Sequence, residues 1–113
     1  MLQEASLERG SVVHKVSLLS MDNAVLAICY EGTMKVGTLA VSTPGLSEGA
    51  AGTSSVLLGG KYLIAARALA EKIAATYRKM GLASINTQLV EGEALRLYSG
   101  LLDKARQDGS SGS

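Results

Sequence analysis

The chain has 113 residues, 47% of them hydrophobic: room for one domain and one core, and too apolar for a disordered chain. Eleven basic and ten acidic side chains give a formal net charge of +1, so there is no global field to attract nucleic acid or an anionic membrane. A single cysteine, Cys29, excludes an intrachain disulfide, and no apolar run approaches the about 20 residues that a membrane-spanning helix needs.

The first residues, MLQEASLERG, are polar, carry Glu4 and Glu8, and do not resemble a secretory signal. Residues 1–10 are expected to form a loosely held arm, residues 11–107 a single domain, and residues 108–113 (DGSSGS) a disordered tail. A cytoplasmic location, with the nucleus as a second compartment, is the expectation.

From Ser11 to Leu19 the pattern alternates, with Val12, His14, Val16 and Leu18 on one face and Lys15 and Ser17 on the other. Ser20-Met21-Asp22-Asn23 supplies hairpin-turn residues. The strand that follows, Ala24 to Glu31, is apolar on both faces: Ala24, Leu26, Ile28 and Tyr30 on one, Val25, Ala27 and Cys29 on the other. Gly32 to Lys35 reads as a second hairpin loop and Val36 to Ser42 as a third strand. Thr43 to Ser54 reads as a long flexible loop with the only proline, Pro44, and Ser55 to Leu58 as a short fourth strand ending at Gly59-Gly60.

Tyr62, Ala66, Leu69, Ile73 and Tyr77 recur at three- and four-residue spacing, which predicts a helix from about Lys61 to Lys79, stopped near Gly81. Leu82 to Val90 alternates again as a strand. A second amphipathic helix spans about Glu93 to Gln107 through Ala94, Tyr98, Leu101 and Ala105, with acids near its start and bases near its end. The order is β-β-β-loop-β-α-β-α. It predicts an α+β fold in which an antiparallel meander carries two amphipathic helices packed on one face.

No catalytic constellation emerges. His14 has no companion ligands for a metal, and on an apolar strand face it reads as a core or interface residue. Cys29 has no basic neighbour in sequence to activate it. Gly59-Gly60 precedes a helix but matches neither the dinucleotide nor the Walker pattern, and reads as a tight reversal. No enzyme activity, metal or cofactor is expected. The doubly apolar strand points elsewhere: helices from one small chain cover one side of a sheet, and the other side calls for a partner.

The run SSVLLGG, the helix YLIAARALAEKIAATY, the strand ASINTQL and the helix ALRLYSGLLDKA resemble the proteasome assembly chaperone 4 family. Upstream, VVHKVSLLSMDNAVLAICYEG and GTLAVST fit the hairpin of that family, and GTLAVS and VLLGG are shared in character with its partner family, proteasome assembly chaperone 3. The resemblance spans roughly Val12 to Arg106. It implies a non-enzymatic chaperone with one sheet that pairs sheet to sheet with the partner chaperone and binds proteasome α-type subunits as the α-ring is built; the sequence itself leaves open a homodimer or a heterodimer with a related assembly chaperone. Neither nucleic acid nor membrane is an expected partner.

The expected dimer surface is Val25, Ala27, Cys29, Leu39 and Val41, and a one-residue slip in register exchanges its face for that of Leu26, Ile28 and Tyr30. The expected partner-binding loop region comprises Gly32, Lys35, Pro44 and Leu46. Two other readings stay open: a roadblock- or profilin-like scaffold of another complex, and a small anion- or nucleotide-binding module at Gly59-Gly60.

Overall fold

A computed structural model of the chain describes residues 1–45 and 51–111. Strands β1 (Leu2–Arg9), β2 (Val12–Ser20), β3 (Ala24–Glu31), β4 (Thr38–Pro44) and β5 (Ala51–Leu58) come first. Helix α1 (Leu63–Tyr77), strand β6 (Met80–Asn86) and helix α2 (Glu91–Ser111) follow. The fold is α+β with both helices late in the chain, as the patterning implies. The strands form one sheet in the order β1-β2-β3-β6-β4-β5.

The sheet is mixed rather than purely antiparallel. β3 and β6 run parallel, whereas the hairpin pairs β1–β2, β2–β3 and β4–β5, and the pair β4–β6, are antiparallel. The cause is α1, which carries the chain back from the end of β5 past β4, so that β6 enters between β3 and β4. Short hairpins explain only the neighbours in sequence; a helical crossover permits the parallel pair.

Residues 1–10 are not a loose arm. Leu2 to Arg9 pair along their whole length with β2 and bury Ala5. An edge strand that exposes Glu4, Ser6, Glu8 and Arg9 resists pairing with other chains, and the same polarity makes it look unstructured in sequence. Thr43 to Ser54 is not one long loop either. Strands β4 and β5 take up Thr43, Pro44 and residues 51–54, with register irregularities between Leu39 and Ala40 and between Ser42 and Pro44. Pro44 sits at the last pairing of the hairpin, where a missing N–H is tolerated. Helix α2 runs on through Ser111, four residues past the expected end, because no proline stands in its way.

Helix α1 packs on β4, β5 and β6, and α2 on β1 and β2, side by side on the same face. The core between the layers joins Val16, Leu18, Val25, Ala27, Cys29, Ala40, Ala83 and Ile85 of the sheet to Ala66, Leu69, Ala70, Ile73, Tyr98 and Leu101 of the helices. Its many alanines bring the helix axes close to the sheet. Gly81 marks the closest approach: a Cβ there would lie 2.4 Å from the Ala70 carbonyl oxygen and 2.8 Å from the Ala74 nitrogen. Gly81 therefore serves packing and does not stop the helix. The stop is Arg78, in the left-handed region at φ 57°, whose N–H donates to the Ala74 carbonyl. The smallest extent of the molecule is 19 Å, the depth of one layer of strands and one of helices at about 10 Å each.

Candidate functional site: the open face of the sheet

Because side chains alternate along a strand, the register defines the face that the helices leave bare. Leu2 pairs with Leu19, Leu19 with Leu26, Leu26 with Leu82, and Leu82 with Val41. These five side chains form an apolar row across β1, β2, β3, β6 and β4, on the side opposite the helices. The next row on this side reads Glu4, Ser17, Ile28, Ser84, Leu39 and Leu58. Leu2 is 60% exposed, Leu19 38% and Leu58 52%; Leu26, Ile28, Leu39, Val41 and Leu82 are partly exposed, and the small Ser17 and Ser84 are buried among them. Among the described residues, no helix or strand lies over this face.

The polar groups within the apolar rows are satisfied by the chain itself. The Ser17 hydroxyl donates to Glu4 Oε2 at 2.9 Å, and Ser84 Oγ accepts from the Gly37 N–H at 2.9 Å. A layer placed on this face would strand neither hydroxyl. The remaining polar cost of covering it is the exposed Glu4 carboxylate, which lies on the edge strand.

The expected dimer residues divide between the two faces. Val25, Ala27 and Cys29 are buried under the helices and cannot meet a partner without lifting them. Leu39 and Val41 lie on the open face. The slipped register is the one β3 adopts, with Leu26 and Ile28 facing out; Tyr30 shares their side but is buried. The β2 pattern carried the answer: Val16 and Leu18 are fully buried, and Val16 pairs with Cys29 and Leu18 with Ala27, which puts these β3 residues under the helices. Leu2, Leu19 and Leu82 escaped the sequence reading because β1 read as an arm and β6 was judged by its inward residues.

The expected partner-binding region is also divided. Gly32 and Lys35 are exposed in the β3–β4 connection, whereas Pro44 lies at the far end of β4, and Leu46 is outside the described residues. A strand of seven residues, about 23 Å long, separates the two ends.

The end of the molecule that carries Gly32 and Lys35 is apolar at its rim. Gly37 packs against Ile85 and Asn86, and Gly59 against Thr38, so the loops before β4, after β5 and after β6 meet there. Gly59 has φ 102°, and a Cβ would overlap Thr38, so the glycine pair serves a tight, closely packed reversal. An open cleft of about 480 Å³ lies between Gly60–Ile64 and Leu89–Glu91. Around it Ile64 is 70% and Val90 73% exposed, and Met34, Val36 and Leu57 are exposed at the same end.

The start of α1 offers no free anion site on its first turn. Glu91 Oε2 accepts from the Ile64 N–H at 2.8 Å and the Ala65 N–H at 2.9 Å, so the first residue of α2 caps the other helix. Tyr62, left-handed at φ 57°, is fixed through its hydroxyl, which donates to the carbonyls of Thr87 and Leu89.

The titratable groups under the helices form a closed polar cluster. His14 Nδ1 hydrogen-bonds Tyr98 Oη at 2.8 Å, with Glu31 Oε2 at 3.5 Å. Glu31 in turn accepts from the Thr87 hydroxyl and the Gln88 N–H. Burial pushes the Tyr98 phenol up to about 12 and the Cys29 thiol up to about 12. A thiol held neutral under a helix is no nucleophile. Lys72 Nζ reaches Ser99 Oγ at 2.6 Å and Asp103 Oδ2 at 2.9 Å, and this triplet ties α1 to α2 on the outside of the layer. No group of three or more His, Cys, Asp or Glu side chains among the described residues is placed to hold a metal ion, and no helix is long and apolar enough to cross a membrane.

Neither a protein-family model nor a curated protein matches the chain.

Proposed function

We propose that this chain is a non-enzymatic assembly chaperone that pairs through the open face of its sheet and, as a pair, holds proteasome α-type subunits while the α-ring is built. One observation carries the pairing: the row Leu2, Leu19, Leu26, Leu82 and Val41 lies on a sheet face that no helix covers. A flat apolar face of this kind is a liability in a monomer and an asset in a complex. The resemblance of Val12 to Arg106 to proteasome assembly chaperones 4 and 3 supplies the identity of the client.

In this reading no bond is made or broken. The pair binds an α-type subunit in an orientation that favours its correct neighbour, so the output is assembly order through differences in affinity. The client surface is the end with Gly32 and Lys35, where Met34, Val36, Leu57, Ile64 and Val90 are exposed around the cleft. It is separate from the pairing face, so both contacts can form at once.

Affinity capture of the chain from cells, followed by mass spectrometry, tests the proposal. Proteasome α-type subunits, without the mature particle, are the expected co-purifying proteins. Recovery of GTPase regulators or actin instead would favour a roadblock- or profilin-like scaffold and overturn the proteasome reading.

A further inference from the structure

We infer that the cleft between Gly60–Ile64 and Leu89–Glu91 is an anchor site for an acidic protein segment, which inserts one apolar side chain and sets carboxylates beside it. The inference rests on the client contact proposed above and gives the chemistry of what that contact recognises.

The two walls of the cleft are tied to each other in both directions. On the α1 side, the Tyr62 hydroxyl donates to the Thr87 carbonyl at 2.7 Å and the Leu89 carbonyl at 2.6 Å. On the α2 side, Glu91 Oε2 accepts from the Ile64 and Ala65 N–H groups. Glu31 fixes the same α2-side loop by accepting from the Thr87 hydroxyl and the Gln88 N–H. Slack loops bearing Ile64 and Val90 would bury these two side chains against each other. Held as they are, both stay largely exposed and line an open space of about 480 Å³, the size of an ordinary ligand pocket. A site fixed before its occupant arrives loses little order on binding. Met34, Val36 and Leu57 widen the apolar surface at this end, which suits a protein segment better than a small molecule.

Charge selects the segment. Of the two charged residues in the lining, Glu91 is engaged by helix N–H groups, and Lys61 is exposed. Among the described residues, no ion pair engages Lys61 or the exposed Lys35. The other acids of this end are elsewhere occupied or distant. Glu31 holds the loop, Glu93 pairs with Arg9 at 3.4 Å, and Glu8 stands on β1, three strands beyond β6. The mouth of the cleft is therefore cationic, and complementarity asks for carboxylates next to the inserted side chain. A concave cleft receives a protruding side chain; a bilayer surface offers none.

Fluorescence anisotropy on the purified full chain tests the inference, with a labelled peptide probe in which two leucines are flanked on each side by aspartates. The probe should bind, and controls with lysines for aspartates or serines for leucines should each bind about tenfold more weakly or not at all. Added salt should narrow the difference between the aspartate and lysine peptides. Lys61→Glu should weaken the aspartate probe about tenfold, whereas Lys104→Glu, the same charge change on the exposed side of α2, should not. Val90→Ser removes one apolar wall at a position whose carbonyl accepts from the Ala94 N–H, where serine suits the start of a helix. It should weaken the probe without lowering the unfolding midpoint. A wild type that ignores the probe, or binds the lysine peptide equally well, overturns the inference. So does equal weakening by Lys104→Glu. A fall in the mass of the chain by light scattering on Val90→Ser would give the cleft to a second copy, and competition by phosphatidylserine vesicles would give it to a lipid surface; either overturns the inference. Capture of α-type subunits undiminished by Lys61→Glu and Val90→Ser sinks the cleft and leaves the client. Probe binding by a chain that captures none leaves the cleft and sinks the client.

Discussion

The two faces of the sheet are both apolar, but they are built to different sizes. The roofed face is lined with Ala5, Ala27, Ala40, Gly81 and Ala83 beside Val16, Leu18, Val25 and Ile85, and helix α1 descends until its backbone meets Gly81. The open face carries the bulk: Leu2, Leu19, Leu26, Ile28, Leu39, Leu58 and Leu82. Small residues suit a layer that brings its own volume close, as an alanine-rich helix does. Larger side chains standing off a sheet suit interdigitation with another sheet about 10 Å away. Hydrophobicity alone did not separate the two faces; side-chain size and register do.

The sharpest way to break this contrast is a pair of truncations on the same strand. Ile85→Ala, on the roofed face, should lower the unfolding free energy by about 3 kcal/mol in denaturant titrations, through lost burial and a cavity, and should leave pairing unchanged. Leu82→Ala, three residues away on the open face, should cost the dilute chain about 1 kcal/mol or less and weaken pairing instead. If both substitutions cost the same in folding, the open face is a second core and the contrast fails.

Gly81→Ala should be destabilising by about 2 kcal/mol, because the new Cβ meets helix backbone at Ala70 and Ala74, which cannot move aside as a flexible side chain would. The same measurement on Gly100→Ala, where a Cβ meets nothing within 4 Å, should show a small gain, since alanine favours a helix interior.

Alkaline pH should loosen the roofed face. The Cys29 thiol rises from 9.0 and the Tyr98 phenol from 10.0, each to about 12, because burial disfavours the charged form. Above the ordinary values the unfolded chain has released these protons and the folded chain has not. Stability is therefore full below pH 9 and falls as pH rises from about 9 through about 12. Cys29→Ala should remove the earlier part of the decline and Tyr98→Phe the later part, as followed by urea midpoints against pH. A smaller effect belongs to Glu91→Gln: losing the charged acceptor of Ile64 N–H and Ala65 N–H should cost about 1 kcal/mol and leave pairing alone.

Much of this organisation was legible in the residues. Strand β3 is bounded as Ala24 to Glu31 by a turn and a glycine, and both helices follow from stripes such as Leu69–Ile73 and Tyr98–Leu101. Both ends of the chain and the β4–β5 hairpin were not. Glu4, Ser6 and Glu8 look like an arm because an edge strand needs polar residues, and Thr43 to Ser54 looks like a loop because small residues join a ladder only when a neighbour supplies it. The parallel entry of β6 depends on where α1 lands, a long-range event that no local pattern encodes. The candidate site was half visible. Leu39 and Val41 belong to it, but the choice between Val25-Ala27-Cys29 and Leu26-Ile28 on β3 turns on a one-residue register that only the pairing with β2 resolves.

The claim that the open face joins two chains is tested most directly by thermal unfolding of the wild type and Leu26→Asp at two protein concentrations about a hundredfold apart. Association that accompanies folding makes the midpoint depend on concentration. The wild-type midpoint should rise with concentration, and that of Leu26→Asp should stay fixed at the lower value. A wild-type midpoint that ignores concentration, or one that the aspartate leaves equally responsive, would contradict an interface between copies on this face.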